Sequence, residues 1–167
     1  MHLPMGRDRR NDMQDVLRSL GALLDARLAH DVRITEVADG LHVRAQLVAG
    51  VADRIAGRWT SSERRFGRLE VRRLQDEARR RRGQDHLPGR HERCLRMVGR
   101  VIDERCLRDV TLIQHPEGGW LVWHTESRSA RYVLTFLGED ELLAWSDQVA
   151  SVRGAAMMVD GRVRAIA

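Results

Sequence analysis

The amino-acid sequence predicts an α+β fold built by tandem duplication of an αβββα unit. Each repeat is expected to hold an antiparallel three-stranded sheet and two helices, and the two to pack as one compact body with a pseudo-two-fold axis. Three observations predict it. Residues 17–40 reappear at a constant offset of 78 as residues 95–118, with eight identities in 24 ungapped positions. Leu17, Arg18, Gly21, Asp25, Arg27, Asp31, Val32 and Gly40 recur as Leu95, Arg96, Gly99, Asp103, Arg105, Asp109, Val110 and Gly118. In each copy a stretch of helical periodicity gives way to alternating apolar residues, the change that separates a helix from strands. Units of roughly 75 residues are marginal alone, which favours packing against one another. Pro88 and Gly89, within HLPGR at 86–90, interrupt the helical pattern and set the boundary, giving repeats at 1–85 and 86–167.

The first helix is read from Met13, Val16, Leu17, Leu20, Leu23, Leu24 and Leu28, spaced by three and four so that one face is apolar. Val32, Ile34 and Val37 then lead into Asp39-Gly40, after which Leu41, Val43, Ala45 and Leu47 alternate, the pattern of a hairpin with a tight turn. A third strand is expected at 54–59, because Arg54 and Trp59 align with Arg131 and Phe136. Ser61 or Ser62 is expected to cap a long helix reaching about Arg82.

The second repeat follows the same order. Leu95, Val98, Val101 and Ile102 mark its first helix, Pro116-Glu117-Gly118-Gly119 its turn, and RYVLTF at 131–136 its third strand. Gly138, followed by Glu139, Asp140 and Glu141, opens a last helix to about Val152, and Asp160-Gly161 points to an added C-terminal hairpin. Trp59, Trp120 and Trp145 occupy core positions of the pattern, as do Cys94 and Cys106, which align with Val16 and Leu28.

Composition narrows the function. No apolar run approaches the ~20 residues that span a bilayer, so no membrane partner is expected. The N-terminal residues lack the apolar core of a secretory signal, and a cytoplasmic protein is expected. All 29 basic residues are arginine, which excludes Schiff-base lysine chemistry and the P-loop. His86, His91 and Cys94 offer three local ligands, short of the four that structural zinc needs. No catalytic constellation appears, and the expectation is a non-catalytic binding protein without metal or cofactor.

The positive charge is concentrated in the first repeat, where residues 13–85 carry 15 arginines against 11 acids, while residues 86–167 carry 11 of each. Arg64, Arg65, Arg68, Arg72 and Arg79 fall on the expected second helix, where Arg65, Arg68, Arg72 and Arg79 line one face. Such a stripe can follow the phosphates of duplex RNA or DNA, the leading expectation for a ligand. The order helix, three strands, helix resembles the double-stranded-RNA-binding domain. That family places basic residues at the first, second and fifth positions of its last helix, and Arg64-Arg65-Phe66-Gly67-Arg68 has that spacing. The resemblance implies phosphate contacts by these three arginines across a groove read by shape. It covers the first repeat only.

The alternative is a protein-interaction or assembly module, a homodimer among its forms. His42, Arg44 and Gln46 are expected to face away from the core, and their counterparts are Leu121, Trp123 and Thr125. One sheet face thereby becomes apolar in the second repeat, with Leu121 and Trp123 as candidate interface residues.

Overall fold

The computed structural model describes residues 12–48, 50, 52, 55–82, 87–125 and 131–158, with side chains as far as residue 150. The apolar stripe of Val16, Leu17, Leu20 and Leu24 forms helix α1 (Asp12–Ala26), with Asp12 and Asp15 in its first turn, where carboxylates favour the helix dipole. Strands β1 (His30–Val37) and β2 (Gly40–Leu47) follow, joined by the two residues Ala38 and Asp39. Then come β3 (Thr60–Gly67) and helix α2 (Arg68–Arg81). Helix α3 (Arg90–Arg105), strands β4 (Arg108–Gln114), β5 (Trp120–Thr125) and β6 (Tyr132–Leu137), and helix α4 (Glu139–Met158) complete the order.

The strands form one antiparallel sheet in the order β3-β2-β1-β4-β5-β6. Separate three-stranded sheets were the expectation; instead β1 and β4 pair at the centre, Ile34 opposite Leu112 and Thr35 opposite Thr111. Pairing removes two edges, each a row of unsatisfied backbone groups. Val32, Ile34, Leu41, Val43, Phe66, Val110, Leu112, Trp120 and Val122 point to one side of the sheet and are buried against Leu17, Leu20, Leu74, Leu95, Met97, Val98 and Leu142 of the helices. Cys94 lies in this core, and burial pushes its thiol up to about 12.

At the centre of the helix layer α1 crosses α3. A Cβ on Gly21 would sit 2.6 Å from the Cα of Glu92, and one on Gly99 2.6 Å from the Cα of Gln14, so only glycine lets the two backbones approach this closely. Each helix also caps the other. Asp103 accepts hydrogen bonds from the Met13 and Gln14 amides at 3.0 and 2.9 Å, and Asp25 accepts from the His91 and Glu92 amides at 2.9 Å each. Orphan N–H groups of both helix N-termini are thus satisfied across the crossing. Asp31 and Asp109 adopt left-handed backbone (φ 49° and 51°) inside register shifts of β1 and β4. Asp tolerates that conformation better than most residues, and the extra residue bends the strand.

Several expectations are corrected. The third strand of the first half lies at 60–67, not 54–59, and the helix starts at Arg68, so Ser61 and Ser62 belong to β3 and cap nothing. The strand is set by Phe66, which stands opposite Leu41 and fills the core, while the polar remainder suits a sheet edge. Trp59 is consequently 42% exposed, its ring 3.6 Å from that of His30. Cys106 and Leu28 are exposed, because each follows its helix in left-handed backbone (φ 51° and 50°) that turns the side chain outward. The last helix, α4, runs on to Met158 rather than ending near Val152, and the Asp160-Gly161 turn of the expected hairpin lies outside the described residues.

Candidate interaction surface

The side of the sheet away from the helices divides into two chemically different halves. On β1, β2 and β3 it presents Arg33 opposite Arg44, Arg44 opposite Glu63, and His42 opposite Arg65. His42 Nε2 lies 2.5 Å from Glu63, and Arg65 donates to Asp39 at 2.7 Å. The Arg65 hydrogen bond, opposed by slight desolvation, holds the Asp39 carboxyl below its ordinary range. This half is polar, and two of its contacts, His42 with Glu63 and Arg65 with Asp39, pair a basic with an acidic side chain.

The other half is apolar. Register places Thr111 and Ile113 of β4 beside Trp123 and Leu121 of β5, and these beside Leu134 and Phe136 of β6. Trp123 is 37% exposed, and along β6 Tyr132, Leu134 and Phe136 are 65%, 46% and 53% exposed. Val133, Thr135 and Leu137, the alternating set, turn toward the helices and are half-buried. Strand β6 is the edge of the sheet and carries no charged residue and no proline. The face around Leu121 and Trp123 is the one read from the sequence. The β6 row was missed, although its signal was present: over 132–137 Val133 and Leu137 supply the covered set, and Tyr132, Leu134 and Phe136 are a second apolar set that a strand with one covered face does not require.

The arginine positions are not gathered on one helix. Arg64 shares the inward parity of Phe66 at the β3 edge, with its guanidinium 4.4 Å from the Phe66 ring centroid. Arg65 points to the open face, and Arg68, Arg72 and Arg79 are on α2. Because Arg64 and Arg65 precede the helix, the first two positions of the double-stranded-RNA-binding resemblance fall on a strand. The C-terminal arginines of α2 are engaged in structure. Arg82 reaches both oxygens of the nearly buried Asp15 at 2.7 and 2.8 Å, Arg79 lies 3.8 Å from it, and Arg80 and Arg81 pair with Glu77. With Ser19 Oγ donating to the Leu74 carbonyl at 2.5 Å, the Arg79 and Arg82 contacts with Asp15 fasten α2 to α1.

Among the described residues no group of three His, Cys, Asp or Glu is arranged to hold a metal ion. His91 instead lies 2.9 Å from Asp25, and His86 is outside the described residues. A cavity of about 30 Å³ between Asp12, Ile102, Asp103 and Arg108 has room for a water, far below the volume a metabolite needs. No described helix is long and apolar enough to cross a membrane. No protein-family model, curated protein or solved structure matches this chain.

Proposed function

We propose that this chain is a non-catalytic protein-binding module that takes up an extended polypeptide strand with an apolar row along β6 and the adjoining face of β5. The observation that carries the reading is the exposed row Tyr132, Leu134 and Phe136 on an uncharged edge strand beside Trp123. An edge strand offers main-chain hydrogen bonds to an added strand, and alternate side chains supply apolar contact. Sheets discourage such addition by placing charge on their edges. Strand β3 follows that rule with Glu63, Arg64 and Arg65, and β6 does not. The reading also treats 1–85 and 86–167 as two copies of one unit that diverged on the open face. The reciprocal caps support this, since Asp25 and Asp103, with their amide partners, are related by the same offset of 78 as the sequence repeat.

The test is fluorescence anisotropy of a labelled peptide of residues 131–137 titrated with the protein, beside a polar peptide of equal length. Binding of the first alone, weakened at least tenfold by Leu134→Arg, is expected. Equal affinity for both peptides, or none for either, would remove the reading.

A second reading, binding to duplex nucleic acid, is supported by the exposure of Arg64, Arg68 and Arg72 around the start of α2. Under it, affinity for a short RNA or DNA duplex falls steeply with salt, and the slope flattens when these arginines become Glu. A salt-independent signal, or none at low salt, removes it.

A further inference from the structure

We infer that the strand received by β6 is β6 of a second copy of this chain, paired antiparallel about Leu134 to form a two-fold dimer. The inference rests on the proposed reading that this edge accepts an extended apolar strand, and adds the partner. Directly opposed residues of an antiparallel pair lie on the same face of a sheet. Centring the pair on Leu134 therefore sets Leu134 against its own copy and Tyr132 against Phe136 of the other chain, keeping the three exposed residues of each strand in one apolar row. A single self-complementary patch is what a two-fold interface requires.

Charge at the strand ends selects this partner and this direction. Arg131, exposed, immediately precedes β6, and Asp140 and Glu141, exposed, follow it on the first turn of α4. Antiparallel pairing brings the Arg131 end of each copy alongside the acidic end of the other, and the two-fold axis makes that contact twice. Parallel addition would instead set arginine beside arginine and acid beside acid. The chain already contains a junction of this geometry, because β1 and β4 pair antiparallel with Ile34 opposite Leu112. A six-residue strand with one apolar row is a small interface, and the association is expected to be of the weaker, concentration-dependent kind.

Sedimentation equilibrium of the full chain over a range of concentrations tests the inference. The mass is expected to rise from one chain to two. Leu134→Arg, which sets two like charges against each other on the axis, should weaken association at least tenfold while leaving the thermal midpoint of the folded chain in place. Arg131→Glu should weaken it too, and pairing that change with Asp140→Arg and Glu141→Arg in the same chain should restore it, an outcome that a misfolded variant cannot imitate. A chain that remains monomeric throughout, or a dimer indifferent to these changes, overturns the inference. If such a monomer still binds the 131–137 peptide, the protein-binding reading stands with a different partner; if it does not, both fall.

Discussion

Where α1 and α3 cross, two carboxylates do the same work in different surroundings. Burial tends to raise Asp25, but hydrogen bonds from the His91 side chain and from the Glu92 and His91 amides outweigh it, and its pKa lies below the ordinary 3.8. At Asp103 burial prevails over the Gln14 and Met13 amides, Asp12 and Asp15 add repulsion, and its pKa lies above 3.8. Two neighbourhoods make the difference: Asp25 has the His91 side chain as a hydrogen-bond partner, whereas Asp103 has the Asp12 and Asp15 carboxylates near it. The signs follow from linkage. Asp25 contributes stability that is present above 3.8 and lost as pH falls through its lowered folded value. Asp103 is favoured in its protonated form by folding, so its contribution is present below 3.8 and lost as pH rises through its raised folded value. Asp25→Asn, whose NH2 cannot accept one of the two backbone N–H bonds, is therefore expected to cost about 0.5–2 kcal/mol at neutral pH, the range for a lost cap, and less in acid. Asp103→Asn should cost less at neutral pH and relatively more in acid. Urea denaturation of both variants between pH 3 and 7 checks this, and parallel pH profiles would contradict it.

The edge strand β3 shows at the scale of an element what sequence pattern can and cannot reveal. Periodicity located α1, the β1–β2 hairpin and α3 because each has a complete apolar stripe or alternation, and tertiary packing demands it. The open face at Leu121 and Trp123 was legible by the same logic, through comparison with His42 and Arg44. In β3 only Phe66 is buried, so TSSERRFG has no periodicity of its own, and Ser61 followed by arginines imitates a capped helix. Its strand identity comes from the register with β2, which supplies Leu41 opposite Phe66, and no local signal carries that. The reciprocal caps were invisible for a similar reason: Asp25 and Asp103 were seen to recur, but their partners lie 66 and 90 residues away. Strand placement makes a direct expectation. Phe66→Ala should destabilise the protein by about 3–5 kcal/mol, as loss of a buried phenyl ring does. Trp59→Ala, removing a ring that is 42% exposed, should cost much less. Comparable losses from thermal or urea unfolding would return the third strand to 54–59.

Across the whole molecule, the two halves are joined at each layer. In the sheet β1 pairs with β4, and the Val32 amide donates to the Gln114 side chain at 3.2 Å. In the helix layer the glycine contacts and the two carboxylate caps cross between α1 and α3, and Arg18 meets the nearly buried Glu92 at 3.2 Å. Leu17 and Leu95, both fully buried, belong to one apolar cluster, so unfolding either half would expose the core of the other. Opening one half would leave Asp25 or Asp103 without the amides it holds, and would uncover an apolar strand at the centre of the sheet. Such a state lies high in free energy, and a single cooperative transition is expected despite the repeat in the sequence. Native-state hydrogen exchange tests this by following amides of β2 and β5, which lie in different halves and next to opposite edges. Both sets should exchange through openings of the same free energy, matching the value from denaturant unfolding. If β5 amides instead exchanged through an opening well below that of β2, the halves would be separable units, and the central β1–β4 pairing would be a docking contact rather than part of one core.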